Sequence, residues 1–236
     1  MTPRAPAAAP EPPTLAGGPR RPLAVLRAGT VPYARGLELQ AELVAERRDG
    51  ETADTLVVLE HPHVITLGRG ADKADVLTSD DERARLGIDL FEAGRGGGVT
   101  YHGPGQLVAY PIIDLKPDRK DLHAYLRDLE TVLIETAAAF GVPARRRAGL
   151  TGVWTDRGKL AAVGVRVSSQ WITSHGVALN VAPDLAYFDS IVPCGLVGEA
   201  VTSLEREVGG PVDPEQAVSA FVRCFASTFG CEVVVA

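Results

Sequence analysis

Cys194 sits between a proline and a glycine in Ile191-Val192-Pro193-Cys194-Gly195. Such a loop turns the backbone sharply and presents its side chain, a setting that suits a nucleophile. The reactive form of a cysteine is its thiolate, and a free thiol titrates near ~8.5, so a neighbouring cation is required. Lys159 is the best candidate. It follows the Asp156-Arg157-Gly158 hairpin turn and opens a strand of small residues. His102 and His175 are alternative partners. Taken singly, Cys194 also reads as a small buried hydrophobe and Lys159 as a solvated turn residue. Their meeting in space is an expectation. Cys224, inside an apolar helix, and Cys231, just beyond it, read as core fillers.

A second chemical signal is the stretch Arg95-Gly96-Gly97-Gly98-Val99-Thr100-Tyr101-His102-Gly103-Pro104-Gly105-Gln106-Leu107. Glycine loses more backbone freedom on ordering than any other residue, so clustered glycines imply positive φ or close approach. Ile88–Ala93 before the stretch and Leu107–Ile113 after it read as strands. The expectation is strand, glycine loop, strand, with backbone N–H groups offered to a bound group. No helix opens after the glycines, so this is not a dinucleotide fingerprint, and no Gly-Lys-Ser/Thr ends it as in a phosphate-binding loop. His61 and His63 lie two apart, as metal ligands do, but no carboxylate or cysteine accompanies them at a convincing spacing, so no metal site is expected.

The 236 residues are 45% hydrophobic and 23% charged, which describes a globular chain with a sizeable core. The net charge of −6, from 24 basic and 30 acidic residues, argues against a general nucleic-acid binder. No apolar run has the length of a membrane span, and no signal peptide is evident, so a cytoplasmic protein is expected. Three cysteines do not make a disulfide framework.

The elements that must position these residues follow in order. Residues 1–21, rich in Pro and Ala, form a disordered leader, and residues 22–236 a single catalytic domain. Leu23–Arg27 reads as a strand. Tyr33–Arg48 reads as a helix stopped by Gly50. Thr55–Gly70 reads as two β segments broken at His61-Pro62. Asp121–Phe140 is a helix with an apolar stripe through Leu122, Tyr125, Leu126, Leu129, Leu133, Ala137 and Phe140. Residues 151–155, 160–167 and 171–181 alternate as strands. Asp213-Pro214-Glu215 caps a last helix that runs to Phe229 before Gly230. Strands in hairpin runs favour an α+β class, a mixed, largely antiparallel sheet with flanking helices.

The ordered set Arg95-Gly96-Gly97, Val99-Thr100-Tyr101-His102-Gly103-Pro104-Gly105-Gln106, Lys159–Val167, His175-Gly176-Val177-Ala178-Leu179-Asn180, Pro193-Cys194-Gly195 and Thr202-Ser203-Leu204 closely resembles the octanoyltransferases of lipoate biosynthesis, the lipoate-protein ligase B family. The resemblance runs from about Leu23 to the last helix. It implies the class II synthetase-like fold of biotin and lipoate protein ligases. It implies transfer of an octanoyl group from acyl carrier protein to a lysine on lipoyl domains of 2-oxoacid dehydrogenases and the glycine-cleavage H protein, with no cofactor and no metal. Cys194 would carry the acyl thioester, and Lys159 would lower its pKa and shuttle protons. Arg95, Gly96, Gly97, Gly98, Val99, Thr100, Tyr101 and His102, with Ala162, Val163, Gly164, Gly176, Val177 and Ala178, would line the acyl pocket. Val177, standing where a larger Phe is expected, would widen it, and Gly164 and Gly176 would let the alkyl chain pass between strands. Loop N–H groups would receive the thioester oxygen as its charge develops. Acyl carrier protein is acidic, so Arg145-Arg146-Arg147, with Arg69 and Lys73, forms a candidate docking face.

Overall fold

The computed structural model describes residues 20–192 and 199–234. In chain order they form β1 (Arg21–Thr30), α1 (Tyr33–Asp49), β2 (Asp54–Glu60), β3 (Val64–Leu67), α2 (Asp80–Leu86), β4 (Asp89–Glu92), β5 (Val99–His102), β6 (Gln106–Ile112), α3 (Leu122–Ala138), β7 (Val153–Trp154), β8 (Lys159–Val167), β9 (Thr173–Asn180), α4 (Leu204–Val208), α5 (Pro214–Phe229) and β10 (Cys231–Val234). Residues 1–19, and with them nearly all of the expected leader, lie outside the described residues, as does Cys194.

A seven-stranded sheet has the order β10-β1-β2-β6-β9-β8-β7. β10, β1 and β2 run parallel, and every later pair is antiparallel. The sheet is therefore mixed, with its parallel part at the edge reached through α1 and α5. A second sheet, β4-β3-β5, has three strands.

Period-two alternation sorts side chains to the two faces of the large sheet. Leu56, Val58, Leu107, Ala109 and Leu179 join Leu129, Leu133, Phe221 and Phe225 in the core beneath α3 and α5. Val57, Leu59, Val108, Tyr110 and Ala178 face the other way, where Leu39, Leu43 and Val44 of α1 cover them. The helices start and stop where local chemistry dictates. The Asp121 side chain accepts the N–H groups of His123 and Ala124 at the head of α3, and Asp213 accepts that of Glu215 at the head of α5. Gly50 and Gly230 close α1 and α5 in the left-handed conformation. Leu122, at the first position of the α3 stripe, is exposed. α2 carries a full capping box, with Ser79 and Glu82 each satisfying the other's backbone N–H. Among the described residues no helix is long and apolar enough to cross a membrane.

Candidate active site

The central stretch differs in one respect from strand, loop, strand. Val99–His102 is itself a strand, β5, so the glycines make two turns: residues 94–98 lead into β5, and Gly103-Pro104-Gly105 leads out of it into β6. Arg95 organises the first turn. Its side chain is 7% exposed. One Nη donates to Gly96 O (3.0 Å) and Gly98 O (2.9 Å). The other donates to Thr66 O (2.8 Å) and Thr66 Oγ1 (2.7 Å) on β3. Two further contacts need missing side chains. A Cβ on Gly68 would lie 2.2 Å from Gly97 O, and one on Gly164 would lie 3.0 Å from Arg95 Cδ and 3.1 Å from Gly96 O. The turn is thus clamped between β3 and β8 by an arginine and by glycines of separate segments. Its carbonyls are the groups engaged, and the Gly96 N–H donates to Val165 O (2.9 Å), so that N–H is not offered to a ligand.

Beside this turn lies a cleft of about 480 Å³, open solvent at its mouth included. Arg95, Gly97, Gly98, Val99, Thr100, His102, Lys159, Ala162, Val163, Gly164, Gly176, Val177 and Ala178 border it. The fold thereby gathers β5, β8 and β9 residues from three distant parts of the chain. Two expected pocket residues stand elsewhere. Gly96 sits behind the turn, against β8. Tyr101 alternates away from Thr100 and His102. Its ring packs on Phe188, and its hydroxyl meets His63 Nδ1 at 2.7 Å. It borders only a smaller recess that adjoins the cleft and shares Lys159 and Ala162 with it.

Strand register explains the cleft floor. β8 and β9 pair Ala162 with Ala178 and Gly164 with Gly176, and between them Val163 with Val177. By alternation the Ala and Gly pairs share the cleft face, while both valines pack into the α3/α5 core. Val177 does not set the cleft width. Nor do the two glycines open a slot between strands. The space a side chain would take at Gly164 is filled by Arg95, and at Gly176 by Ala109 O at 2.1 Å and Pro111 Cδ at 2.7 Å from the Cβ position.

Tyr33, Tyr110 and His175 also line the cleft. The tyrosines are not singled out by sequence: Tyr33 opens a helix and Tyr110 sits in an apolar strand. His61 Nδ1 lies 2.6 Å from Val31 O, which can only accept, so Nδ1 carries the proton and Nε2 accepts the Tyr110 hydroxyl at 2.6 Å. His63, half-buried, stacks on Tyr187 at 4.1 Å. These histidines serve aromatic packing and hydrogen bonding.

His102 has a pKa pushed down to about 3 by burial first, then by His61 and Arg95. Its Nδ1 meets Gln106 Oε1 at 3.1 Å, while the Gln106 amide donates to Tyr101 O and Asn180 Oδ1. His175 is pushed down to about 4, again by burial first, then by Arg95 and Arg166. It takes a left-handed φ of 55°, a costly conformation for a side-chain-bearing residue, and Gln40 Oε1 secures it by accepting its N–H at 2.6 Å. Both rings are neutral near neutrality and do not supply a cation to a thiol.

Lys159 is a cation at the cleft beside Arg95, and it is 6% exposed. Its N–H donates to Ala200 O (2.8 Å) and its carbonyl accepts from Thr202 N–H (3.0 Å). The start of β8 is thereby stitched to the segment that follows residues 193–198. Lys159 Nζ stands 5.3 Å from the Trp154 ring centroid.

The Arg145–Arg147 run is exposed, and each of its arginines also has an acidic neighbour. Arg146 Nε donates to Glu130 (3.0 Å), a fully buried carboxylate of α3, Arg145 pairs with Asp156, and Arg147 pairs with Glu199. Lys73, of the wider face, pairs with Glu92.

The family model for the lipoyl protein ligase A/B catalytic domain matches residues 32–226. An octanoyltransferase of Solibacter usitatus is 48% identical over 206 residues, covering 87% of this chain and 92% of the relative. One from Rubrobacter xylanophilus is 54% identical over 182 residues, 77% and 81% of the two chains. The crystal structure of a lipoate-protein ligase A bound with ATP superposes with a TM-score of 0.74 at 17% identity, covering 92% of this chain and 88% of that one, and so shares the fold. The chain belongs to the lipoyl protein ligase A/B catalytic-domain family, as an acyltransferase of its octanoyltransferase branch.

Proposed function

We propose that the chain moves an octanoyl group from acyl carrier protein to a lysine of a lipoyl domain, on 2-oxoacid dehydrogenase E2 subunits or the glycine-cleavage H protein, through a thioester on Cys194. The Cys194 thiolate attacks the carrier thioester. The tetrahedral adduct collapses, the carrier thiolate leaves, and the Lys159 ammonium gives it a proton. The acceptor amine then attacks the Cys194 thioester, loses a proton to Lys159, and expels the Cys194 thiolate as the amide forms. Thiolate suits both halves because it is a good nucleophile and a good leaving group.

The observation that carries the reading is Lys159. It is a buried cation at the border of a cleft floored by Ala162, Ala178, Gly164 and Gly176. An alkyl chain lying along the Ala162–Ala178 part of that floor would gain ~0.8 kcal/mol for each methylene it buries. The close relatives named octanoyltransferases favour this over adenylate chemistry.

Intact-mass measurement after mixing with octanoyl carrier protein tests it. The expected result is one octanoyl adduct on Cys194, absent in Cys194→Ser and slow to form in Lys159→Ala. Pyrophosphate exchange with octanoate is expected to be nil. Wild-type turnover by Cys194→Ser would overturn the mechanism.

A further inference from the structure

We propose that Trp154 is a positioning residue for the acyl transfer: its buried indole holds the Lys159 ammonium in place at the cleft. This rests on the reading of Cys194 and Lys159 given above. Trp154 is 1% exposed and is the cross-strand partner of Lys159 where β7 meets β8. The ammonium lies 5.3 Å from the ring centroid, within the ~6 Å over which a cation is attracted to an indole face. The pairing is strongest where both partners are removed from water, as here.

The surroundings are built for this approach. Gly152 has φ +136°, and a Cβ there would lie 2.7 Å from Ala161 O, 3.1 Å from Lys159 Cε and 3.3 Å from Trp154 Cη2. Any side chain at 152 would therefore press on both members of the pair. The Gly152 N–H is fixed by buried Glu130 Oε1 at 3.0 Å. Arg147 places a second cation 5.5 Å from the same ring, and its own partner is Glu199. The indole thus joins the Lys159 ammonium to the residue that immediately follows residues 193–198. The Trp154 Nε1 atom is buried and has no hydrogen-bond partner among the described residues. The ring's hydrogen-bonding edge is therefore not what holds this residue in place; its face contacts two cations.

The test is the pH dependence of Cys194 alkylation by iodoacetamide, followed on the Cys194 peptide by mass. Three backgrounds are compared: wild type, Lys159→Ala, and a Trp171→Phe chain in which Trp154, one of two tryptophans, is replaced biosynthetically by mono- and multiply fluorinated tryptophan. Fluorination weakens the ring's attraction for a cation while nearly keeping its shape, so folding is preserved. The alkylation midpoint is expected to climb stepwise with fluorination. Trp154→Phe is expected to react roughly threefold more slowly at mildly acidic pH, and Trp154→Leu roughly tenfold more slowly. In the Lys159→Ala background none of these changes should add to the shift already present. A flat fluorination series beside a shifted Lys159→Ala overturns the proposal alone, as does an equal Trp154 effect in both backgrounds. An unshifted Lys159→Ala overturns the reading beneath it as well.

Discussion

Replacing Arg95 by lysine separates two roles that sequence alone assigns to one residue. If the guanidinium scaffolds the glycine turn, the loss is structural; if it holds the substrate, the loss is in binding. The geometry favours scaffolding. The two Nη atoms reach four acceptors on two segments, Gly96 O and Gly98 O on one side and Thr66 O and Oγ1 on the other. A lysine ammonium keeps the charge but is a single point, so it satisfies one side and strands the acceptors of the other. Hydrogen bonds to a charged group contribute about 1.5–3 kcal/mol each, and two are lost, so the cost is about 3–6 kcal/mol. For a chain of this size each kcal/mol lowers Tm by about 2–4 °C, which gives a fall on the order of 10 °C. Thermal and urea melts measure this, alongside steady-state kinetics with octanoyl carrier protein. Thr66→Val should cost about 1 kcal/mol in the wild-type background and less in Arg95→Lys, because the two share a bond. A wild-type Tm with a tenfold higher KM for the donor would refute the scaffold argument and place the guanidinium on the substrate.

Two further outcomes follow from buried charge. Arg146→Glu faces the fully buried Glu130 carboxylate, which also accepts from Arg127 and Gly152. It should lose about 3 kcal/mol in urea melts, and unchanged stability with a raised KM for the carrier would restore the docking role instead. His102 has a folded pKa near 3, below the ~6.5 of an unfolded histidine, so the unfolded chain takes up the proton first. Its contribution to stability is complete above about pH 6.5 and is lost as pH falls toward the folded value, at about 1.4 kcal/mol per unit. His102→Asn should flatten the stability–pH slope between about pH 6 and 4.5 by that amount in urea titrations, and an unaltered slope would mean that the folded ring is charged there.

What the chain states locally, it states well. Asp121, Asp213, Gly50 and Gly230 mark helix ends because caps are set by neighbours in sequence, and the structure places those ends within two residues of the expected ones. The glycine motif stood out because so many glycines make little sense as filler, whereas Lys159 taken singly reads as a solvated turn residue and only the structure shows it buried. Long-range properties were not legible. β10 is a strand only because β1 lies beside it, and four residues after a glycine stop give no such signal. The neutrality of His102 and His175 comes from burial and from Arg95, neither of which a one-dimensional pattern reports. Tyr33 and Tyr110 look like core because one face of each segment is core. The arginine run is exposed as its sequence suggests, but its acidic partners Glu130 and Glu199 lie far away in sequence and could not be read from it.

The glycines illustrate the deeper reason. Glycines 68, 164 and 176 each make room for another part of the protein, and each neighbour found there is backbone or a side chain bound to backbone. The cleft beside them is therefore bounded by main chain that is already in contact, a wall that cannot recede. Its usable width comes from the Ala162–Ala178 pair, whose side chains stop at Cβ, and its far side from the buried rings of Tyr33 and Tyr110. Val163 and Val177, on the opposite face of the same strands, can change in size only by disturbing the α3/α5 core. Because side chains alternate along a strand, two adjacent residues of one motif answer to different constraints, one to the cleft and the other to the core.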